Sequence, residues 1–253
     1  MIKFNEYAAQ AQFEPIQSFY LKDDLNRDIW DDDNKLYPDI SEQLTQISED
    51  FIDDLKLDVE ILDIVFCGSL TNYNWSKYSD IDLHILIDFK EIDENHELIE
   101  QFCDLAKKVW NEKHDIQIKG YDVEIALQDK NDFDEEIKLP RLGAAYSIMN
   151  DDWIKKPSKE EFEPDENLIK KKAGDLMESI KELEKDFENK IPYKEIAPRL
   201  KKVWKKIKDG RQAGLDREGE FSIENLVFKL LRRNGYIERL MDLKFKSYDK
   251  QFK

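Results

Sequence analysis

The chain has 253 residues and a formal net charge of −17 at pH 7, with 40% hydrophobic and 11% aromatic residues. This composition excludes an intrinsically disordered chain, because disordered segments are poor in aromatic and branched apolar residues. The N-terminal segment has no apolar signal-peptide core and no stretch approaches a membrane span, so we expect a cytoplasmic protein. The two cysteines, Cys67 and Cys103, lack metal-ligand spacing, and Cys67, which lies in an apolar run, is predicted to be a reduced core thiol.

Charge is distributed unevenly along the chain. Residues 190–253 hold 18 Lys and Arg against 9 Asp and Glu, whereas residues 1–189 hold 22 against 48. A uniformly acidic protein avoids polyanions, but a basic C-terminal part can face a triphosphate or a polynucleotide. The two parts can equally neutralise each other through an internal contact, and the sequence leaves both interpretations open.

The first predicted elements are a lead-in and a helix. Residues 1–39 show weak periodicity, and we expect this lead-in to pack on the core through Trp30. Between Ile40 and Leu55, apolar residues recur at steps of three and four. This spacing predicts an amphipathic helix that covers the sheet.

A Gly-Ser turn connects the first two predicted strands. Residues 61–67 form an apolar run typical of a buried strand, which ends at Gly68 and Ser69. Residues 70–75 fit a short helix that begins at this turn. After ten intervening residues, 70–79, the sequence Asp80-Ile81-Asp82 opens a second apolar run.

The two aspartates of this second strand share one face, because successive side chains of a strand alternate between faces. Asp80 and Asp82 therefore repel each other and lose solvation on a mostly apolar strand. A divalent cation compensates for this, and Mg²⁺ suits paired carboxylate oxygens. The pair predicts a metal site.

A third strand brings another pair of carboxylates. Helical spacing over residues 92–114 leads to residues 121–127, where apolar and polar residues alternate. Val123 and Ile125 lie on one face of this strand, and Asp122 and Glu124 on the other.

Residues 153–164 are predicted to form a linker, and beyond it the sequence is helical, with four segments. The first has a coiled-coil-like seam, which we expect to pack inside the molecule rather than to form a dimer. The predicted segments cover residues 169–187, 193–209, 221–233 and 236–248. We expect three parts: the lead-in, a sheet domain over residues 40–155, and a basic helical domain over residues 156–253.

The Gly-Ser turn, the ten-residue gap and the Asp-Ile-Asp strand together resemble the signature of the DNA-polymerase-beta-like nucleotidyltransferase superfamily. In that superfamily a Gly-Ser turn opens a short helix, and an aspartate pair binds metal with a third carboxylate from a later strand. The resemblance implies an α+β fold in which a mixed-sheet nucleotidyltransferase core with covering helices precedes an all-helical C-terminal domain. It gives the third-ligand role to Glu124, with Asp122 in reserve.

The resemblance also implies a two-metal site, in which one metal activates the acceptor hydroxyl and the other neutralises the triphosphate. Mg²⁺ is the expected cofactor, Mn²⁺ its substitute, and an NTP the substrate. The catalytic and metal-binding residues would be Asp80, Asp82 and Glu124. The nucleotide-binding residues would be Gly68, Ser69, Ser79 and Lys205.

Other residues near the motif have structural interpretations that we favour. His84 continues the face of the aspartates and can contact an acceptor, but a hydrogen bond that supports the sheet explains it better. Tyr73, Trp75 and Tyr78 lie between the motif halves, where a ring can stack on a base. We expect Trp75 to pack in the core and leave the two tyrosines open.

A longer resemblance links the chain to uncharacterised nucleotidyltransferase-like proteins of tailed bacteriophages, which implies the host cytoplasm as its compartment. It rests on residues 25–30, 73–75, 79–84 and 220–235. It implies a catalytic class without naming an acceptor.

We therefore expect an enzyme that moves a nucleoside monophosphate from an NTP to a hydroxyl group. Within that class a terminal RNA-adding enzyme, a small-molecule or protein nucleotidylating enzyme and a cyclic-oligonucleotide synthase stay open. The basic C-terminal part favours RNA or another polyanion as acceptor. The rival from another class is a module that binds nucleotides or nucleic acid without turnover, and the three intact carboxylates argue against it.

Overall fold

The computed structural model describes residues 14–139, 142–159 and 162–252. Over these ranges the fold is α+β, with a six-stranded mixed sheet and seven α-helices. The chain divides into a sheet unit, residues 21–159, and a helical unit, residues 14–20 and 162–252. Within the described ranges, every helix is too short or too polar to cross a membrane.

The sheet unit combines three helices with the six strands. The helices are α1 (Pro38–Leu55), α2 (His96–Lys113) and α3 (Lys130–Glu136). The strands are β1 (Asp63–Cys67), β2 (Ile81–Ile87), β3 (Gln117–Ile118), β4 (Tyr121–Asp129), β5 (Ala145–Ser147) and β6 (Asp152–Lys155). Their order across the sheet is β3-β4-β2-β1-β5-β6.

The central strand β2 has one wholly apolar face and one more polar face, on which Asp82 and His84 lie in line with the buried Leu86. The strand's alternate residues Ile81, Leu83 and Ile85 are fully buried, and they belong to the same core cluster as residues of α1 and α2. The intervening Asp82 and His84 are only half-buried. The polar side chains are therefore held on the face opposite the one that these two helices cover.

Strand pairing fixes the neighbours of Asp82. β2 pairs in parallel with β4, and Glu124 is the residue opposite Asp82. On its other side β2 pairs antiparallel with β1, where Cys67 is opposite Asp82. Asp82 and Glu124 consequently project from adjacent strands toward the same face of the sheet.

The short helix expected over residues 70–75 is wrong, because the turn contains only a three-residue 3-10 helix, Ser69–Thr71. Backbone carbonyls of this turn accept hydrogen bonds from side chains. The indole N–H of Trp30 donates to the Leu70 carbonyl at 2.8 Å. The Thr71 hydroxyl lies 2.8 Å from the Gly68 carbonyl and 3.2 Å from the Ala144 carbonyl. These bonds anchor the turn where an α-helix would have continued.

The predicted lead-in, residues 1–39, does not form one part. Its first 13 residues lie outside the described ranges. In the helical unit, Ile16 and Phe19 are buried in the helical core. Residues 21–39 belong to the sheet unit, where Trp30 is fully buried as expected.

The helical unit contains four long helices around its own core. They are α4 (Glu166–Glu188), α5 (Tyr193–Glu218), α6 (Ile223–Arg233) and α7 (Tyr236–Lys250). The seam of α4 is buried inside the unit, including Ile169, Ile180 and Leu183, and clusters with Leu226 of α6 and Leu240 of α7. The apolar periodicity of α4 therefore serves intramolecular packing.

Helices α5 and α6 approach each other closely at Gly214. A Cβ atom at this position would lie 2.6 Å from Ser222 Oγ and 3.0 Å from Ser222 Cβ. Ser222 Oγ accepts a hydrogen bond from the Asn225 N–H and so caps α6. We expect Gly214→Ala to lower the free energy of unfolding by about 1–3 kcal/mol, as measured by urea denaturation.

Gly210 provides the matched control for this prediction, because it lies one turn earlier in α5. A Cβ there would meet its nearest neighbour at 3.8 Å. Gly210→Ala is expected to stabilise the protein by about 0.5–1 kcal/mol, since alanine favours a helix over glycine. Equal stabilisation by both substitutions would show that α5 and α6 do not need the close approach at Gly214.

Candidate metal centre

Three half-buried carboxylates converge on the polar face of the sheet. Oxygen atoms of Asp80, Asp82 and Glu124 all lie within 4.8 Å of one another. Asp80 precedes β2 by one residue, Asp82 belongs to β2, and Glu124 is opposite Asp82 on β4. The geometry thus brings together the three predicted ligands, and their hard oxygen atoms suit Mg²⁺ or Mn²⁺.

Asp122, the reserve ligand, lies two residues before Glu124 and is exposed. Its carboxylate accepts a hydrogen bond from Gln117 Nε2 at 2.6 Å. It is not part of the three-carboxylate cluster. The Glu124 side chain has neither a hydrogen bond nor an ion pair with another described residue.

Gly68 makes room for the carboxylate of Asp82. Its backbone has φ of +85°, in the region that side-chain-bearing residues rarely adopt. A Cβ atom at Gly68 would lie 2.0 Å from Asp82 Oδ2 and 2.9 Å from its Cγ. The resemblance predicts a nucleotide-binding role for Gly68, whereas the close contact in the structure is with a candidate metal ligand, Asp82.

Two serines of the predicted nucleotide-binding set, one directly after Gly68 and the other directly before Asp80, contact each other. The Oγ atoms of Ser69 and Ser79 are 2.7 Å apart. Ser79 Oγ also accepts a hydrogen bond from the Ser76 N–H at 3.0 Å. If Ser79 then donates its own proton to Ser69, the Ser69 hydroxyl is left to donate to a ligand oxygen.

His84 takes the structural role that the sequence favoured. Its Nδ1 is 2.7 Å from Gln128 Oε1, and Gln128 Nε2 donates to Glu136 Oε2 at 2.8 Å. Burial lowers the pKa of His84, although the hydrogen bond with Gln128 opposes this effect. A neutral His84 therefore connects β2 to β4 along the polar face.

The negative field of the centre reaches the neighbouring strand. Cys67, opposite Asp82, is a buried free thiol. Burial raises the pKa of Cys67 well above its usual range, and the charge of Asp82 raises it further. Cys103 is also buried and free, and burial raises its pKa to about 12. Cys67 is therefore the core thiol that the sequence predicts, and Cys103 is a second one.

Lys205, the remaining predicted nucleotide ligand, belongs to α5 of the helical unit. It forms an ion pair with Asp209 one turn later, and its side chain is largely exposed. Its contact with a triphosphate remains a prediction.

A second cluster, which sequence reasoning missed, consists of His96, Asp129 and Asp132. Asp129 already caps α3 through the N–H groups of Asn131 and Asp132 and accepts from the Phe89 N–H at 3.0 Å. The position of Asp129 at the end of an alternating strand is a typical N-cap signal. Its geometry is thus explained by the folding of α3 alone.

An acidic cleft of about 510 Å³ adjoins this second cluster at the carboxyl ends of β2 and β4. Its charged lining residues among those described are all acidic: Glu100, Asp104, Asp129, Asp132, Glu135 and Glu136. An anion that brings no cation with it would be repelled by these carboxylates.

Comparison of the chain with protein-family models, with curated protein sequences and with solved structures gives no match. What the metal centre does is therefore inferred from its residues and their geometry.

Gly68→Ala tests the contact with Asp82. We expect a loss of about 3 kcal/mol or more in the free energy of unfolding, because backbone strain and a steric clash add. Gly120→Ala is the control, since Gly120 has φ of +82° and open space around its Cβ position. It should cost about 1–2 kcal/mol through strain alone. Both values come from chemical denaturation.

A double-mutant cycle separates the cost of backbone strain from the cost of the steric clash with Asp82. In an Asp82→Ala background the clashing carboxylate is absent, so the additional cost of Gly68→Ala should fall toward that of Gly120→Ala. Strict additivity of Gly68→Ala and Asp82→Ala would contradict the contact.

Proposed function

We propose that this chain is a metal-dependent nucleotidyltransferase, related in its sheet unit to the DNA-polymerase-beta-like superfamily. It would transfer a nucleoside monophosphate from an NTP to an acceptor hydroxyl. The observation that carries this proposal is the convergence of Asp80, Asp82 and Glu124 beside the Gly68-Ser69 turn. Strand pairing, rather than sequence proximity, joins Glu124 to the two aspartates.

The donor set fits a hard divalent cation. All three side chains offer carboxylate oxygens, and no histidine or cysteine is part of the cluster. Such a set favours Mg²⁺ or Mn²⁺ over Zn²⁺. When bound, the metal would neutralise triphosphate charge and favour ionisation of the acceptor hydroxyl.

The chain's own groups would hold the nucleotide and orient it. When Ser79 donates its proton to Ser69, the Ser69 hydroxyl can donate to a phosphate oxygen. Anchoring of the turn by Trp30 keeps this hydroxyl beside the carboxylates. Such positioning supplies much of the catalysis in phosphoryl transfer, since reactants held in line need little further reorganisation.

In the proposed reaction the acceptor oxygen attacks the α-phosphorus. A new P–O bond forms while the bond to the leaving pyrophosphate breaks. The acceptor proton is released to water or to a carboxylate of the centre. The products are the nucleotidylated acceptor and pyrophosphate, so pyrophosphate release reports turnover for every acceptor class.

Metal binding is expected to stabilise the sheet unit. A cation at ten times its Kd adds about 1.4 kcal/mol, which raises the unfolding temperature by about 3–6 °C. Mn²⁺ should produce this shift in the wild-type protein, and EDTA should reverse it. Glu124→Gln should abolish the shift because it removes one anionic ligand.

Asp132→Asn is the control for this measurement, because Asp132 belongs to the second cluster. It should retain the Mn²⁺ shift. A full shift in Glu124→Gln would contradict metal binding at the proposed centre, and loss in Asp132→Asn alone would move the metal to the second cluster.

Turnover is expected to depend on Asp82. Asp82→Asn preserves shape but removes a charge opposite Glu124, so pyrophosphate release should fall about 100-fold or more. Asp122→Asn neutralises a carboxylate on the same face of β4 outside the cluster and should stay within about threefold of wild type. The assay uses each of the four α-labelled NTPs with Mg²⁺ or Mn²⁺, with and without RNA oligonucleotides.

The products distinguish the enzyme classes. Labelled RNA would indicate a terminal RNA-adding enzyme, and a labelled small product from NTPs alone would indicate a cyclic-oligonucleotide synthase. NTP binding without pyrophosphate release under every condition would favour a binding module and refute the proposal. Wild-type turnover in Asp82→Asn would refute the assignment of the centre.

A further inference from the structure

A groove in the helical unit lies where the end of α4, the start of α5 and the end of α7 meet. Its volume is about 380 Å³, and Lys190, Lys194 and Lys250 line it. No carboxylate is among the described lining residues. None of the three lysines forms an ion pair with another described residue. This lysine groove therefore presents uncompensated positive charge to the solvent.

Aromatic rings flank the lysine groove. Phe187 and Tyr193 line it, and the Nζ atom of Lys250 lies 4.4 Å from the ring centroid of Phe187. Tyr248 meets Tyr193 edge-on, with centroids 5.8 Å apart and an interplanar angle of 80°. Phe252 meets Tyr248 at 5.3 Å and 63°. Successive rings thus support one another along the rim.

The outer rings of this row are exposed to solvent. Tyr248 is 51% exposed and Phe252 is 73% exposed. Single exposed apolar residues are ordinary, but adjacent aromatic rings beside unpaired lysines are typical of an interaction surface. Ring faces accept stacked bases, and ammonium groups accept phosphates.

We propose that the lysine groove binds single-stranded nucleic acid, with its lysines on the phosphates and Tyr248 and Phe252 on the bases. Proteins that bind single strands combine a basic groove along the backbone with aromatic side chains on which bases stack. Stacking is possible only with unpaired bases, so a duplex would engage the lysines but not the rings. The basic composition of residues 190–253 gives the same sign of charge.

The shape of the surface favours this ligand over a membrane. A membrane-bound helix presents one continuous apolar face to the bilayer. Here Leu240 and Leu243 of α7 are buried in the helical core. The large apolar side chains that stay exposed on α7 and just after it are aromatic: Phe245, Tyr248 and Phe252. Tyr248 and Phe252 lie in the row of rings that begins at the basic groove, where a base and its phosphate can be held together.

Binding at the lysine groove does not require the metal centre. Only the further step, in which the bound strand would be the acceptor, rests on the proposed nucleotidyltransferase activity. Asp82→Asn should therefore bind a single strand as tightly as the wild-type protein, so the two proposals can fail separately.

The first test measures ring stacking by fluorescence anisotropy. The full chain is titrated into fluorescein-labelled 12-nucleotide uridine and thymidine strands and a 12-base-pair duplex, without NTP or metal. We expect single strands to bind at least about tenfold more tightly than the duplex. Tyr248→Ala should weaken single-strand binding about tenfold, and Tyr248→Phe should restore it, because the ring rather than the hydroxyl stacks.

The second test separates a groove from diffuse charge. Lys190→Glu with Lys194→Glu should weaken single-strand binding about tenfold or more. The matched double variant, Lys201→Glu with Lys202→Glu, makes the same charge change at exposed positions of α5. It should weaken binding less than threefold. Thermal denaturation of each variant checks its fold, and Phe252→Ala replaces Tyr248→Ala if the latter does not fold.

Three outcomes would overturn the proposal. The first is no preference for single strands over the duplex. The second is equal loss in the two double variants, which would indicate non-specific attraction. The third is Tyr248-dependent sedimentation with phosphatidylserine vesicles in a protein that binds no oligonucleotide, which would identify the surface as a membrane contact.

Discussion

The parallel pairing of β2 with β4 is the constraint on which the candidate centre depends. It fixes Glu124 opposite Asp82 on one face, while the alternate residues of β2 are buried on the other. Two unit charges 4.8 Å apart repel by about 3 kcal/mol at an effective dielectric constant of 20. A slip of one residue would separate the carboxylates, but it would also expose Ile81, Leu83 and Ile85. The apolar core therefore holds like charges together, and a cation is their natural complement.

The turn before β2 extends this constraint to the end of β1. Asp82 needs the space beside Gly68, and the hydrogen bond from Trp30 to the Leu70 carbonyl holds that turn in place. Trp30 is itself fixed by rings, stacking on Phe66 at 5.7 Å and on Trp153 at 4.7 Å. A residue 50 positions before Asp80 in sequence thus helps to shape the centre. The packing of Trp30 and the position of the carboxylates are therefore linked through the backbone carbonyl of Leu70.

The sequence predicted those features whose signals are periodic. Alternation in β2 and β4 indicated which carboxylates share a face, and apolar spacing located the long helices. It did not predict β5 and β6, because strands of three and four residues carry no measurable period. It also gave the turn after Gly68 a helix, since tertiary hydrogen bonds from Trp30 and Thr71 cannot be read from local propensity. The groove in the helical unit escaped prediction because α4 and α7, distant in sequence, both contribute to it.

Charge determines which ligands each feature can accept and in what order. A nucleotide carries negative charge on its phosphates, so it cannot approach three carboxylates until a cation has neutralised them. If the candidate metal centre binds a nucleotide as proposed, its affinity should therefore follow cation concentration. The lysine groove has the opposite character, because its lysines have no ion-pair partner among the described residues and need no metal to attract a phosphate. Added salt weakens that attraction by reducing counterion release. Metal dependence of nucleotide binding would thus report on the candidate centre in the sheet unit. Salt dependence of strand binding would report separately on the lysine groove in the helical unit.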